Sequence, residues 1–144
     1  MKTRTFALIL GIVFLVAGIL GFVPQLVTVP AQQPSLMVEA SHGALFGLFP
    51  VNAVHNLLHL AFGVWGVVVW RDFAASRVYA RSVAVIYAVL AVLGLIPATS
   101  TLFGLAPIHG YDVGLHAILA IASAYFGFAP VPAVERPGAA VRRN

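Results

Sequence analysis

Residues 51–70 read Val51-Asn52-Ala53-Val54-His55-Asn56-Leu57-Leu58-His59-Leu60-Ala61-Phe62-Gly63-Val64-Trp65-Gly66-Val67-Val68-Val69-Trp70, with no Asp, Glu, Lys or Arg. About 20 helical residues cross a hydrocarbon core of roughly 30 Å. A helix is required there, because lipid offers no partner to unpaired backbone N–H and C=O groups. Asn52, His55, Asn56 and His59 stand at i, i+3, i+4 and i+7, which is one helical face. Gly63 and Gly66 continue that stripe. Small residues let helices approach closely in membranes, so this face is predicted to turn toward the protein interior.

Three more stretches have the same apolar character, at about 5–23, 78–96 and 111–129. The 144 residues are 61% hydrophobic and 8% charged, with a mean hydropathy of +1.00. A soluble domain carries about 25% charged residues. The composition therefore predicts an all-α integral membrane protein: a four-helix bundle forming one transmembrane domain over 1–129, followed by a disordered cytoplasmic tail, 130–144. There is no cysteine, so disulfides, thiolate ligands and Cys nucleophiles are excluded. No phosphate-binding glycine loop or serine nucleophile elbow occurs.

The basic residues set a topology. Lys2 and Arg4 precede the first helix, Arg71, Arg77 and Arg81 surround the loop after the second, and Arg136, Arg142 and Arg143 lie in the tail. These are all eight Lys and Arg residues of the chain, and all fall on one side. The positive-inside rule makes that side cytoplasmic, in a multi-pass protein of the cell membrane with both termini inside. The net charge of +4 is thus a topology signal. It does not point to nucleic acid, and the partners expected are membrane lipids and further copies of the chain. The first apolar run exceeds the usual 7–15 residues of a signal peptide and lacks a clear small-x-small cleavage site, which argues for a retained helix. Trp65 is read as lipid-facing and Trp70 as an interfacial anchor. Tyr79 and Tyr111 are read as belt residues near helix ends, and Arg77 and Arg81 as lying at the head groups.

The chain also resembles itself. Ile12–Pro24 matches Val85–Pro97, both apolar and both closing in Leu-Gly-x-x-Pro. Leu45-Phe46-Gly47-Leu48-Phe49-Pro50-Val51 matches Leu102-Phe103-Gly104-Leu105-Ala106-Pro107-Ile108 without a gap. Continuing in register pairs Asn52 with His109, His55 with Asp112, and His59 with His116. Two similar helical hairpins, an internal duplication, account for this pattern. The Leu-Phe-Gly-Leu segments are expected to turn the chain into the membrane, with the following Pro near the first helical position. The longer outer loop, Gln25 to Gly43, contains Pro30 and Pro34 and is expected to be irregular.

Asp112 and His116 repeat the i, i+4 spacing of His55 and His59, with Ser123 further along the same side. In the assigned topology both pairs lie at one depth in the outer leaflet. Ionisable groups in a membrane are costly and usually functional. His55, His59, Asp112 and His116 therefore form a candidate metal site between the second and fourth helices. Imidazole and carboxylate ligands suit zinc or copper. Asn52, Asn56 and His109 are candidates to orient the ligands, and His109 also for an extra ligand. Glu39 and His42 are candidates to cover the site or shuttle protons. Two other readings stand beside this one. The same polar residues could act as interhelical hydrogen-bond glue in a non-enzymatic structural or accessory protein. Alternatively, His59 and His116 could be axial ligands of a haem in an electron-transfer subunit, with Gly63 and Gly66 making room for the ring.

Asn52-x-x-His55-Asn56-Leu57-x-His59-Leu60-x-x-Gly63, with Asp112-x-x-Leu115-His116, resembles the bacterial family catalogued as domain of unknown function 4383, small proteins with four predicted membrane helices. The resemblance spans the first to the fourth helix. It implies the four-helix reading and the importance of these polar positions, and it implies no activity. The family pattern commonly has an Asn ahead of the Asp-x-x-Leu-His part. Here His109 holds that place, so its role stays open between orienting group and ligand.

Overall fold

The computed structural model describes residues 2–29 and 34–130. It is mostly helical: α1 (Lys2–Leu20), α2 (Ala53–Val69), α3 (Phe73–Leu95) and α4 (Tyr111–Phe128). Three of these, α1, α3 and α4, are long and apolar enough to cross a membrane. The second apolar stretch makes a shorter helix than its sequence suggests. Its 17 residues span about 26 Å at 1.5 Å per residue. The missing length lies in a structure that the sequence did not reveal. A small antiparallel sheet, β1 (Val27–Thr28), β2 (Gly43–Leu45) and β3 (Phe49–Val51), occupies the connection between α1 and α2.

This sheet corrects the expectation of an irregular loop. Val27 faces Leu45, and Leu45 faces Phe49. Phe46 and Gly47 turn the chain between β2 and β3 with φ of 54° and 71°. Gly at the second of these positions carries no Cβ penalty. Pro50 is not at the start of a helix. It sits in β3, an edge strand, where a missing N–H is tolerated. The helix begins later because the Asn52 side chain caps it, accepting the His55 N–H at 2.9 Å. In the second half Pro107 likewise precedes the helix by several residues, and α4 starts after Gly110 at φ 66°.

The third helix begins earlier than its apolar stretch. Asp72 accepts the Ala75 N–H at 2.6 Å and starts α3 at Phe73. Tyr79 is therefore nearly two turns inside the helix and fully buried, not a belt residue near an end. Trp65 packs edge-on against it with centroids 5.2 Å apart, so it is partly buried and not simply lipid-facing. The expected tail lies outside the described residues beyond Pro130, together with Arg136, Arg142 and Arg143.

α1 packs along α2, and α3 along α4. The interior joins Ala7, Leu10 and Phe14 of α1 to Tyr79, Val83 and Tyr87 of α3 and Ala120 of α4. Phe14 and Tyr87 stack at 5.4 Å. The outward faces are apolar, with Ile9, Ile12, Val16 and Ile19 exposed on α1 and Val85, Val89 and Val92 on α3. At the end that carries Lys2, helix C-termini are closed by side chains. Thr3 Oγ1 donates to the Phe126 carbonyl at 3.1 Å, and Ser76 Oγ to that of Val69 at 3.0 Å. The Nε of Arg4 donates to the Trp70 carbonyl at 3.1 Å. Arg77 and Arg81 each donate Nε to the Gly127 carbonyl, at 2.8 and 2.9 Å. A cation at a helix C-terminus also complements the helix dipole.

Gly63 sits where α1 and α2 touch. A Cβ there would meet the backbone of Leu15 at 2.7 Å and of Gly11 at 2.9 Å. Gly63→Val should force the helices apart and cost about 1–3 kcal/mol. Gly114, with nothing within 4 Å of a Cβ, should accept Ala and gain up to about 1 kcal/mol. Unfolding of the two detergent-purified variants by titration with a denaturing detergent checks both signs.

Candidate metal centre

The site begins with Asn52, which is fully buried. Its Oδ1 caps α2 at His55, while its Nδ2 donates to the carbonyls of Val38 at 2.9 Å and Leu105 at 2.8 Å. One amide thus ties both long connections to the start of α2. The Met37 N–H also donates to the Gly104 carbonyl at 2.8 Å, and that of Ala53 to the Ala40 carbonyl at 2.8 Å. The two connections form a roof over the helix ends. Asn52 therefore holds the backbone of His55 and does not touch its ring.

Directly below the roof, α2 and α4 bring three side chains together. One ligand atom each from His55, Asp112 and His116 all lie within 4.8 Å of one another, and all three residues are buried. His55 Nε2 is 3.7 Å from Asp112 Oδ2, and His116 Nε2 is 4.0 Å from the same oxygen. Both separations exceed hydrogen-bond range. The orientation of His55 is fixed from behind, its Nδ1 facing the Pro107 carbonyl at 3.0 Å. A carbonyl only accepts, so Nδ1 carries the proton and Nε2 keeps its lone pair toward Asp112. Neither the sequence spacing nor the residue type pointed to Pro107 in this role.

The fourth expected ligand, His59, stands beside this group of three. Its ring stacks on that of His55 at 4.6 Å, and its Nδ1 donates to the His55 carbonyl at 3.0 Å. Phe14 packs edge-on against His59 at 5.4 Å, and Tyr87 against His116 at 5.0 Å. These aromatic walls stand at corresponding positions of the two similar segments 12–24 and 85–97, so the sequence did hold a signal for them. Asn56 packs against Gly21, where a Cβ would collide with its side chain. It makes no hydrogen bond to a ligand ring among the described residues, and its Nδ2 is buried without a partner. His109 stands outside the group of three. Partial burial, and next the neighbouring His42, hold its pKa below the ordinary value. Glu39 is exposed in the roof.

The haem geometry meets an obstacle. Gly63 and Gly66 leave no slot, because the backbone of α1 at Ala7, Gly11 and Leu15 fills the space beside them.

The unpaired atoms define the chemistry. Asp112 Oδ2, His116 Nδ1 and Asn56 Nδ2 are buried and lack hydrogen-bond partners among the described residues. A buried unsatisfied polar group costs about 1–3 kcal/mol, and more when charged. Two imidazoles and a carboxylate around one point are what a divalent cation would satisfy. Ligand bonds of about 2.0–2.1 Å in a tetrahedral site place neighbouring donors about 3.3 Å apart. The separations of 3.7 and 4.0 Å, with all three ligand atoms within 4.8 Å of one another, are wider than that, so a bound ion would draw the side chains together.

A family model described as Domain of unknown function (DUF4383) matches residues 4–129. No curated protein and no solved structure matches the chain.

Asn52→Ala should remove the cap and leave two carbonyls without donors, at a cost of about 2–4 kcal/mol. Asn52→Asp, which keeps the cap and loses the donors, should fall between Ala and the unsubstituted protein. Detergent-unfolding midpoints give the order, and equal midpoints for Ala and the unsubstituted protein would show that the roof is not held here.

Proposed function

The chain belongs to the DUF4383 family, a domain of unknown function, and from its geometry we propose that it is a metal-binding membrane protein with His55, Asp112 and His116 as ligands. The observation that carries this reading is that buried His55, Asp112 and His116 bring one ligand atom each to within 4.8 Å of one another, with Asp112 Oδ2 lacking a hydrogen-bond partner among the described residues. Hydrogen-bond glue would pair its own atoms across the helices, and here the facing atoms stay beyond bonding distance. Three protein ligands also leave a coordination position open, as catalytic sites do. His59 stands next to that position as a fourth ligand or a proton carrier. Zinc suits the nitrogen–oxygen donor set, and two histidines with one carboxylate also suit ferrous iron; copper is the third candidate. Bound there, the metal would supply Lewis acidity and an activated water. The chain's own part is to hold the imidazole tautomer through Pro107 and to exclude bulk water with the roof.

The site is assigned to the extracytoplasmic side, in the outer leaflet, with both termini cytoplasmic. Support comes from Arg4, Arg71, Arg77 and Arg81, which stand at the opposite end from the roof. The two hairpins are read as a duplication with an axis along the membrane normal. Contacts recur in pairs that fit such an axis. Thr3 bonds Phe126 as Ser76 bonds Val69, and Arg4 bonds Trp70 as Arg77 bonds Gly127. Phe14 meets His59 as Tyr87 meets His116. Left-handed backbone recurs at Phe46 and Phe103 and at Gly47 and Gly104.

Elemental analysis of the detergent-purified protein should find about one equivalent of transition metal per chain, falling to background in the His55→Ala, His116→Ala double variant. Asp112→Asn should retain the fold and weaken the metal by at least about tenfold. A metal-free protein that takes up neither zinc, iron nor copper on dialysis would refute the proposal. Loss of stability in the double variant without any metal would favour the hydrogen-bonding role.

A further inference from the structure

Two apolar cavities flank the cluster, one on each side. The larger, about 350 Å³, lies between α1 and α4 and reaches Asn56, His59 and Asp112. Its walls include Ile12, Val13 and Val16, each about half exposed on the outward face of α1. The smaller, about 270 Å³, lies between α2 and α3 and reaches His55, His59 and His116. The larger is at the low end of small-molecule sites. Each leads from the apolar surface of the protein to the polar cluster. Such a path suits a solute that arrives through the membrane and not through water.

The larger cavity has a side-chain amide in its wall, and the smaller has none. Asn56 lines the larger one and stands 1% exposed, with an Nδ2 that has no partner. The corresponding residue of the second hairpin is Val113, which offers no donor. An unpaired amide hydrogen at the end of an apolar cleft calls for an acceptor oxygen carried by an apolar molecule. We infer that the α1–α4 cleft seats a membrane-soluble substrate with one apolar chain and a carbonyl-bearing head. The carbonyl oxygen accepts from Asn56 Nδ2, and the chain lies against Val13, Val16 and Leu115. A fatty acid and a prenylated quinone share this chemistry. The head then faces the open side of the His55–Asp112–His116 group. That last placement rests on the metal-site reading, whereas occupancy of the cleft does not.

The test uses the full chain in lipid nanodiscs with two photoreactive probes: a long-chain fatty acid and a prenylated quinone, each with a diazirine on its chain. Saturable labelling is expected at Val13, Val16 or Leu115, competed by the unlabelled molecule. Asn56→Leu should weaken it about tenfold, the loss of one hydrogen bond. Ala17→Phe, which fills the cleft, should abolish it, and metal content in both variants should stay unchanged. Labelling by one probe alone identifies the head group. Labelling that is unsaturable and spread over the outward faces of α3 and α4 would overturn the inference, as would saturable labelling indifferent to both substitutions. Saturable labelling of a protein that binds no metal would uphold the cleft and refute the metal site.

Discussion

Asn52 makes the three hydrogen bonds on which the arrangement of the site depends. Its Oδ1 starts α2 at a fixed residue, and its Nδ2 draws one carbonyl from each of the two connections. A side-chain amide can accept and donate at once, so a single buried residue fixes three segments of chain. With the start of α2 set, His55 lies in its first turn. With Leu105 held, Pro107 comes within reach of the His55 ring. The orientation of the imidazole nitrogens therefore follows from a helix cap three residues before His55 that also holds Leu105, two residues before Pro107.

The polar groups of this protein fall into two kinds. At the end carrying Lys2, Arg4, Arg77, Arg81, Thr3 and Ser76 satisfy the last carbonyls of α2 and α4. The last carbonyls of a helix have no partner within it, and these side chains meet that need. Beneath the roof the opposite holds. Asp112, His116 and Asn56 are buried with atoms unpaired. Tyr79 Oη and Ser123 Oγ, deeper in the bundle, are also buried without partners among the described residues, so the open atoms are not confined to the space beneath the roof.

The sequence made part of this legible. The i, i+4 spacing on α2 and α4, with matching register in the two halves, brought His55, Asp112 and His116 to one depth, and the structure brings them to one point. It did not separate His59 from the other three, because helical spacing fixes a face and an approximate depth and leaves the direction of a ring open. The sheet was not legible, since strands of two or three residues have no period to read. The start of α3 was not legible in the apolar pattern, because its first residues are not continuously apolar. Asp72 begins the helix with a polar cap, and Tyr79 moves from the expected rim into the core.

The sequence by itself determined the class of the protein and the end at which its ionisable groups gather. Apolar runs of membrane length and helical spacing are one-dimensional properties, and the cost of burying charge and bare backbone turns them directly into structure. Only the tertiary structure decided which donors meet, which carbonyl holds the His55 ring, and that apolar clefts run to Asn56 and His59. Those depend on positions fixed to a few tenths of an ångström between residues more than 50 positions apart in the chain, which no local pattern encodes. The Asn52 face quoted from residues 51–70 thus holds two unlike amides: Asn52, whose side chain makes three hydrogen bonds, and Asn56, whose Nδ2 has no partner among the described residues.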